Sequence, residues 1–397
     1  MDDNIAPVTA LVNDTRSREP DPVSQLISSF LIARSRTFRE LAELRDEGWN
    51  NPQGDKHFKK QRQFADEASD RERRIFYNLM RQIGDEIQDV TGALSLPQSH
   101  KEVLDICMAP GGYSASALKY SPHARISGIT LPDSLGGHPL LIKDSRVDVQ
   151  HMDITMLAAE YGVSDIPEDH PDVSNFSPDR PWAKKSFDLV FCDGQVLRTH
   201  TPHVASYRKQ REASRLSCSQ LILAMQRIKP GGTFIMLLHK VEMWNTMKLL
   251  SVFNGISQIE LLKPVTSHKT RGSFYLIAKN VQPHHPEALV AIKEWKEAWK
   301  KATFPPSADE EKQNRRGFVE GHEEVSSLLA SFGERLIELG EPVWQIQKDA
   351  LRQAPWLKTK EAKAVRTSAK QAGVPASSVS VDLTEASSML GNLGIGK

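Results

Sequence analysis

The run Val103–Ser114, VLDICMAPGGYS, constrains the fold of this chain more than any other stretch. Its first half is apolar apart from Asp105, the pattern of a strand buried on both faces of a parallel sheet. Ala109-Pro110-Gly111-Gly112 breaks that strand, and Tyr113-Ser114-Ala115-Ser116-Ala117-Leu118 opens a helix. A strand, a tight glycine turn and a helix form the ligand-binding corner of a doubly wound α/β domain. The glycines let backbone N–H groups approach a ligand, and the helix N-terminus favours an anionic group such as a carboxylate.

The string resembles the first motif of the FtsJ-like (RrmJ-type) RNA 2′-O-methyltransferases, D-L-x-A-A-P-G-G-W-S. Asp105, Ala109, Pro110, Gly111, Gly112 and Ser114 match it, with Tyr113 in place of Trp and Met108 in place of the first Ala. The resemblance covers about residues 98–282. It implies a Rossmann-like α/β fold: a methyltransferase sheet of seven strands, the last antiparallel, that binds S-adenosylmethionine (SAM) at this turn.

The order of elements fits that expectation. Strands are predicted at Ala124–Thr130, Val147–Met152, Phe187–Cys192, Thr233–Leu238, Ile256–Leu262 and Ser273–Lys279. A helix over Ser206–Ile228 is expected to stop at Lys229-Pro230-Gly231-Gly232, and another runs over Trp244–Phe253. The last two strands leave no room for a helix between them and predict an antiparallel closing pair. Gly162–Trp182, with its prolines and acids, reads as a surface excursion.

The flanks read as helical extensions. Residues 1–22 are expected to be disordered, 23–97 helical, 98–282 the methyltransferase domain, 283–357 helical and 358–397 a flexible tail. Asn50–Gly54 is predicted as a turn. The charged stretch Lys56–Arg74 leads into an amphipathic helix with Ile83, Ile87 and Val90 on one face. Pro305–Arg316 is predicted as a polar linker, followed by two helices over Val325–Leu339 and Val343–Leu351.

Lys and Arg total 51 against 50 Asp and Glu, so no global charge draws this chain to nucleic acid; any RNA contact must come from local patches. Cys107, Cys192 and Cys218 lack metal-ligand spacing, which argues for a reducing compartment and against a metal site. With no leader and no long apolar run, a cytoplasmic or nuclear protein without membrane contact is expected.

By the resemblance, Asp105 sits where the family orients the turn and the methionine end of SAM, and Gly111 and Tyr113 match family SAM contacts made through backbone approach and ring packing. Asp153, ending the third strand, matches the carboxylate that accepts from the adenine amine, and Asp193 matches the Asp of the family's S-D-M-A-P segment. The family's catalytic tetrad is Lys-Asp-Lys-Glu, and here only its Asp, Asp193, is in place. Leu237 holds the central Lys position, Ser273 the Glu position, and Glu40 falls where the first Lys belongs. Ile129 stands where the ribose-gripping acid is expected, next to Thr130. His239, on the same strand face two residues beyond Leu237, and Lys240, three residues beyond it, are the candidate replacements if the strand end bends toward the site, where burial and a second cation would have to lower a lysine pKa toward that of a usable base. The loop Lys263–Arg271 matches the family's K-P-x-x-S-R segment at Lys263, Pro264 and Ser267, and with His268, Lys269 and Arg271 predicts a phosphate-contacting edge. The leading expectation is methylation of a ribose 2′-hydroxyl of RNA. Its rivals are a catalytically impaired methyltransferase fold acting as an RNA-binding or scaffolding protein, and a SAM methyltransferase with a non-RNA acceptor.

Overall fold

The chain is described by a computed structural model over residues 22–49, 70–96, 101–304, 308–355 and 357. The expectations for residues 1–21, the turn at 50–54, the first part of the charged stretch and the tail beyond 357 lie outside the described residues.

Seven strands form one mixed sheet in the order β3-β2-β1-β4-β5-β7-β6. They are β1 (Lys101–Ile106), β2 (Ala124–Thr130), β3 (Val147–His151), β4 (Phe187–Cys192), β5 (Ile228–His239), β6 (Gln258–Leu262) and β7 (Ser273–Val281). β1 to β5 pair in parallel, and β7 runs antiparallel to both β5 and β6. This is the sheet of the class I SAM-dependent methyltransferase fold.

Alternation along the strands sorts side chains onto two buried faces. Val103, Leu189, Phe191, Ile235, Tyr275 and Ile277 face one layer, built from α3 (Asp70–Thr91) and α4 (Gly112–Tyr120). Leu104, Ile106, Val190, Phe234, Met236, Phe274 and Leu276 face the other. That layer holds α5 (Glu212–Arg227), α6 (Trp244–Ile256) and α7 (Pro286–Thr303). Since chain order runs outward in opposite directions from β1 and β4, their paired ends, Ile106 and Cys192, mark the switch point where such sheets bind ligands.

The flanking helices α1 (Pro22–Arg34), α2 (Arg36–Trp49) and α8 (Ala308–Arg352) pack on one another, and α8 also meets β6 and α6. Phe38 packs on Trp344 with ring centroids 4.9 Å apart. Ser35 Oγ donates to Glu341, and Lys348 and Arg352 both reach Glu40.

Three expected boundaries differ. α8 is one helix of 45 residues that begins within the predicted linker and carries Pro342 inside it. Val325, Leu329, Phe332, Leu336, Leu339 and Val343 are buried at three- and four-residue intervals along it, with Trp344 buried beside Val343, and their packing outweighs the roughly 3 kcal/mol a helix-interior proline costs. α5 starts at Glu212, because Arg208 is drawn into ion pairs with Asp172 and Glu212 and the preceding turn is 3₁₀. It ends at Arg227, and Lys229-Pro230-Gly231-Gly232 opens β5 across a register shift against β4, with Lys229 Nζ held by Asp188.

Candidate active site

The switch point opens into a cleft of about 480 Å³. Its floor is made by the residues that follow β1 and β4, with Cys107 and Ala109 on one side and Asp193 and Gly194 on the other. Thr130 and Leu131 follow from β2, and Met152 to Met156 from β3. The outer wall comes from Gly137 and His138, and from the β4–α5 connection with Leu197, His200, His203 and Val204.

Asp153 caps the turn after β3. Its Oδ1 accepts from both the Thr155 N–H and the Thr155 hydroxyl, each at 2.8 Å. Asp193 lies directly beyond β4, and burial, aided by the neighbouring Asp105 charge, pushes its carboxyl up to about 7. The Tyr275 hydroxyl donates to Asp193 Oδ1 at 3.0 Å. That leaves the Tyr275 oxygen to accept from the Tyr113 hydroxyl, so a two-tyrosine relay ends on this carboxylate.

Of the other sequence-predicted residues, Ala109 lines the cleft and Pro110 borders a smaller apolar hollow with Arg73, Phe76, His138 and Leu197. Asp105 sits behind the floor, 1% exposed, where it accepts from Ser114 Oγ at 2.6 Å and burial pushes its carboxyl up to about 7. Gly111 caps α4 with a φ of +99°, a backbone state that favours glycine. Gly112 faces α3: a Cβ there would lie 2.4 Å from Met80 Cβ and 2.6 Å from the Tyr77 carbonyl oxygen. Tyr113 is buried between Phe191 and Tyr275 and forms no part of the cleft wall.

His239 and Lys240 lie elsewhere. Leu237 pairs with Tyr275 in the β5–β7 ladder and His239 with Ser273, so Lys240 lies three residues, about 10 Å, along the strand direction from Leu237. Neither lines the cleft. Burial, with the neighbouring Lys240 charge, pushes the His239 imidazole down to about 4, and burial lowers the Lys240 amine against the opposing pull of Glu242. Arg45 of α2 donates to Glu242 at 2.6 Å and to Gln347 at 2.7 Å, tying the helical flank to this strand end. Lys263 is buried, with its ammonium held by the carbonyl oxygens of Arg271 and Ser273, so it braces the β6–β7 hairpin rather than facing a phosphate.

The description FtsJ-like methyltransferase matches residues 85–281. That segment belongs to the FtsJ-like methyltransferase family. The FtsJ-like segment contains the whole sheet and the cleft. Among curated proteins, the chain is 26% identical over 165 residues to the ribosomal RNA small subunit methyltransferase B of Vibrio cholerae, a match covering 38% of this chain and a third (33%) of that relative's length. Among solved structures, a putative ribosomal RNA methyltransferase from Plasmodium falciparum is 19% identical, covering 50% of this chain and 96% of that one at a TM-score of 0.33. Human methyltransferase-like protein 13, in complex with SAH, is 13% identical, covering 59% and 92% at a TM-score of 0.29.

Sequence reading of the FtsJ-like domain missed several cleft residues. His138 comes from the loop after β2, and His200 and His203 from the loop after β4, neither of which carried a motif. Burial pushes the His200 imidazole down to about 4 and lowers that of His138. Tyr275 lies two residues beyond Ser273 and is brought to Asp193 by the pairing of β7 with β5. Arg208 and Glu212 line the cleft as part of a buried ion network that sequence spacing does not reveal. Among the described residues, no group of three or more His, Cys, Asp or Glu is placed to hold a metal ion, and no helix is long and apolar enough to cross a membrane.

Proposed function

We propose that this chain binds SAM in the switch-point cleft and methylates a ribose 2′-hydroxyl of RNA. The observation carrying the proposal is that Asp153 and Asp193, from the ends of two different strands, line one cleft at the strand switch point. The cleft volume of about 480 Å³ lies in the range of small-molecule sites, which run from roughly 300 to 1,000 Å³. Its wall pairs an apolar stretch at Ile154, Met156, Leu131 and Leu216, suited to an adenine ring, with the Asp153 carboxylate, suited to its amine. Thr130, in the cleft wall beside the buried Ile129, offers the ribose a hydroxyl in place of the missing acid. The residues present therefore fit SAM.

When bound, SAM supplies a sulfonium methyl open to attack by an oxygen. Asp193 takes the proton from the acceptor hydroxyl. A carboxyl raised to about 7 is close to neutral pH, where a general base combines sufficient ionisation with sufficient basicity. Tyr275 holds that carboxylate in one orientation through its hydroxyl. Lys240 and His239 stand as the second proposed group at the end of β5, where the Lys240 ammonium would meet a phosphate of the acceptor. RNA is the proposed acceptor because the motif resembles RNA 2′-O-methyltransferases and the Vibrio cholerae relative is named as a ribosomal RNA methyltransferase.

A second reading has its own observation. Leu237 and Ser273 occupy two tetrad positions, which favours a methyltransferase fold retained for its surfaces. Calorimetric titration of the purified protein with SAM and with S-adenosylhomocysteine separates the readings without a guess at the acceptor. Micromolar binding, lost in Asp153→Ala, is expected. Absence of heat from folded protein would overturn the enzyme reading in favour of the scaffold.

A further inference from the structure

Thr155 is held from both sides. Its N–H and hydroxyl both donate to Asp153 Oδ1. Its carbonyl oxygen accepts from Arg215 Nη2 at 2.9 Å and from the Trp299 indole N–H at 3.0 Å. Arg215 and Trp299 are both wholly buried, and neither lines the cleft.

The two donors are themselves fixed. Arg215 Nη1 donates to Glu212 at 2.7 Å and its Nε to the Thr303 hydroxyl at 2.9 Å. The Thr303 hydroxyl in turn donates to the Trp299 carbonyl oxygen at 2.7 Å. Trp299 packs on Tyr161 with ring centroids 4.7 Å apart and meets Phe176 and Phe304 edge to face. A planar guanidinium and a rigid indole, each locked by packing, have little freedom to follow Thr155 if it moves. They therefore fix the backbone of Thr155, and Thr155 fixes the Asp153 carboxylate.

We infer that Trp299 and Arg215 are positioning residues for Asp153, so that α7 is an integral part of the cofactor site although it lies outside the FtsJ-like segment 85–281. The inference rests on the SAM reading above and deepens it. It gives α7 a task beyond covering the sheet: aiming one carboxylate at the amine of a bound adenine. Supporting groups of this kind decide whether a site built from correct residues is also correctly aimed.

The test uses the full chain and two ligands that differ at one exocyclic group. S-adenosylhomocysteine carries the six-position amine that Asp153 would accept from, and its deamino analogue, with an unsubstituted purine, carries only a hydrogen there. Trp299→Phe keeps a ring in the pocket and removes the N–H donor. Thr155→Val keeps the side-chain shape and removes the hydroxyl donor to Asp153. Each variant is expected to weaken the adenosyl ligand roughly fivefold, the worth of one neutral hydrogen bond, and to leave the deamino ligand unchanged. The ratio of the two affinities is insensitive to the folded fraction, so a destabilised variant still reports. An equal loss for both ligands, or no loss for either, would assign Trp299 to packing alone and overturn the inference. Wild-type protein that binds neither ligand would overturn the cofactor reading itself, and with it the inference.

Discussion

Gly112→Ala separates the ligand-binding and packing meanings of the Gly111-Gly112 pair. An added Cβ lands 2.4 Å from Met80 Cβ, 2.6 Å from the Tyr77 carbonyl oxygen and 3.2 Å from the Arg81 amide nitrogen. Carbon contacts are comfortable at about 3.5–4.0 Å, so α3 must retreat by about 1 Å. It cannot do so locally, since two of the three atoms are backbone. Ser116 Oγ donates to the Arg81 carbonyl, and Lys119 and Tyr120 both hold Asp85, so α3 is bonded to α4 along its length. Overpacking costs about 1–3 kcal/mol where side chains can yield, and a backbone wall puts this site near 3. Alanine in place of glycine within a helix returns about 1 kcal/mol, leaving a net loss of about 2. At about 2–4 °C per kcal/mol for a domain of this size, the melting temperature should fall by about 4–8 °C in a circular dichroism scan. Gly92→Ala is the control, since Gly92 has a φ of +67° and nothing within 4 Å of an added Cβ, so it carries backbone strain of about 1–2 kcal/mol without a clash. Because Met80 also lines the cleft, weaker S-adenosylhomocysteine binding should accompany the loss at Gly112. A Gly112→Ala protein that melts within 1 °C of wild type would refute the packing argument.

Further outcomes follow from the buried charges. Tyr275→Phe removes the hydroxyl that lowers the Asp193 carboxyl, so the rise of methyl-transfer rate with pH should move to higher pH, and an unmoved midpoint in initial-rate profiles would count against Asp193 as the proton acceptor. Asp105 titrates near 7 in the folded chain and near 3.9 when unfolded, so the folded state holds more protons between these values and stability falls as pH rises through that window. Asp105→Asn should flatten that fall in urea titrations between about pH 4 and 8, and an unchanged slope would exclude Asp105 as its source. Glu160 and Arg227 form a buried pair at 2.6 Å, so Glu160→Leu should cost about 3–5 kcal/mol by leaving the guanidinium uncompensated, with part recovered in the Glu160→Leu/Arg227→Met double variant.

The sequence by itself determined the sheet. Its central strands are short, nearly continuous apolar runs bounded by turns, the pattern of strands buried on both faces of a parallel sheet. The glycine turn and the acids at strand ends were legible for a related reason: a parallel sheet delivers the carboxyl ends of its strands to one edge, so order in sequence becomes proximity in space. Asp153 and Asp193 lie 40 residues apart and share one cleft for that reason.

Tertiary structure decided what depends on side-chain direction. Gly112 and Tyr113 sit inside the motif yet face α3 and the sheet, because a helix starting at the turn presents successive residues about 100° apart. Tyr275 reaches Asp193 across a strand pairing that no local pattern encodes. Thr155, Arg215 and Trp299 come from three separate elements and meet only when α5 and α7 close over the end of β3. Pro342 lies within a continuous helix because burial along α8, a non-local quantity, exceeds a local penalty. Local chemistry wrote the strands and the turn; the aim of each functional group came from long-range packing.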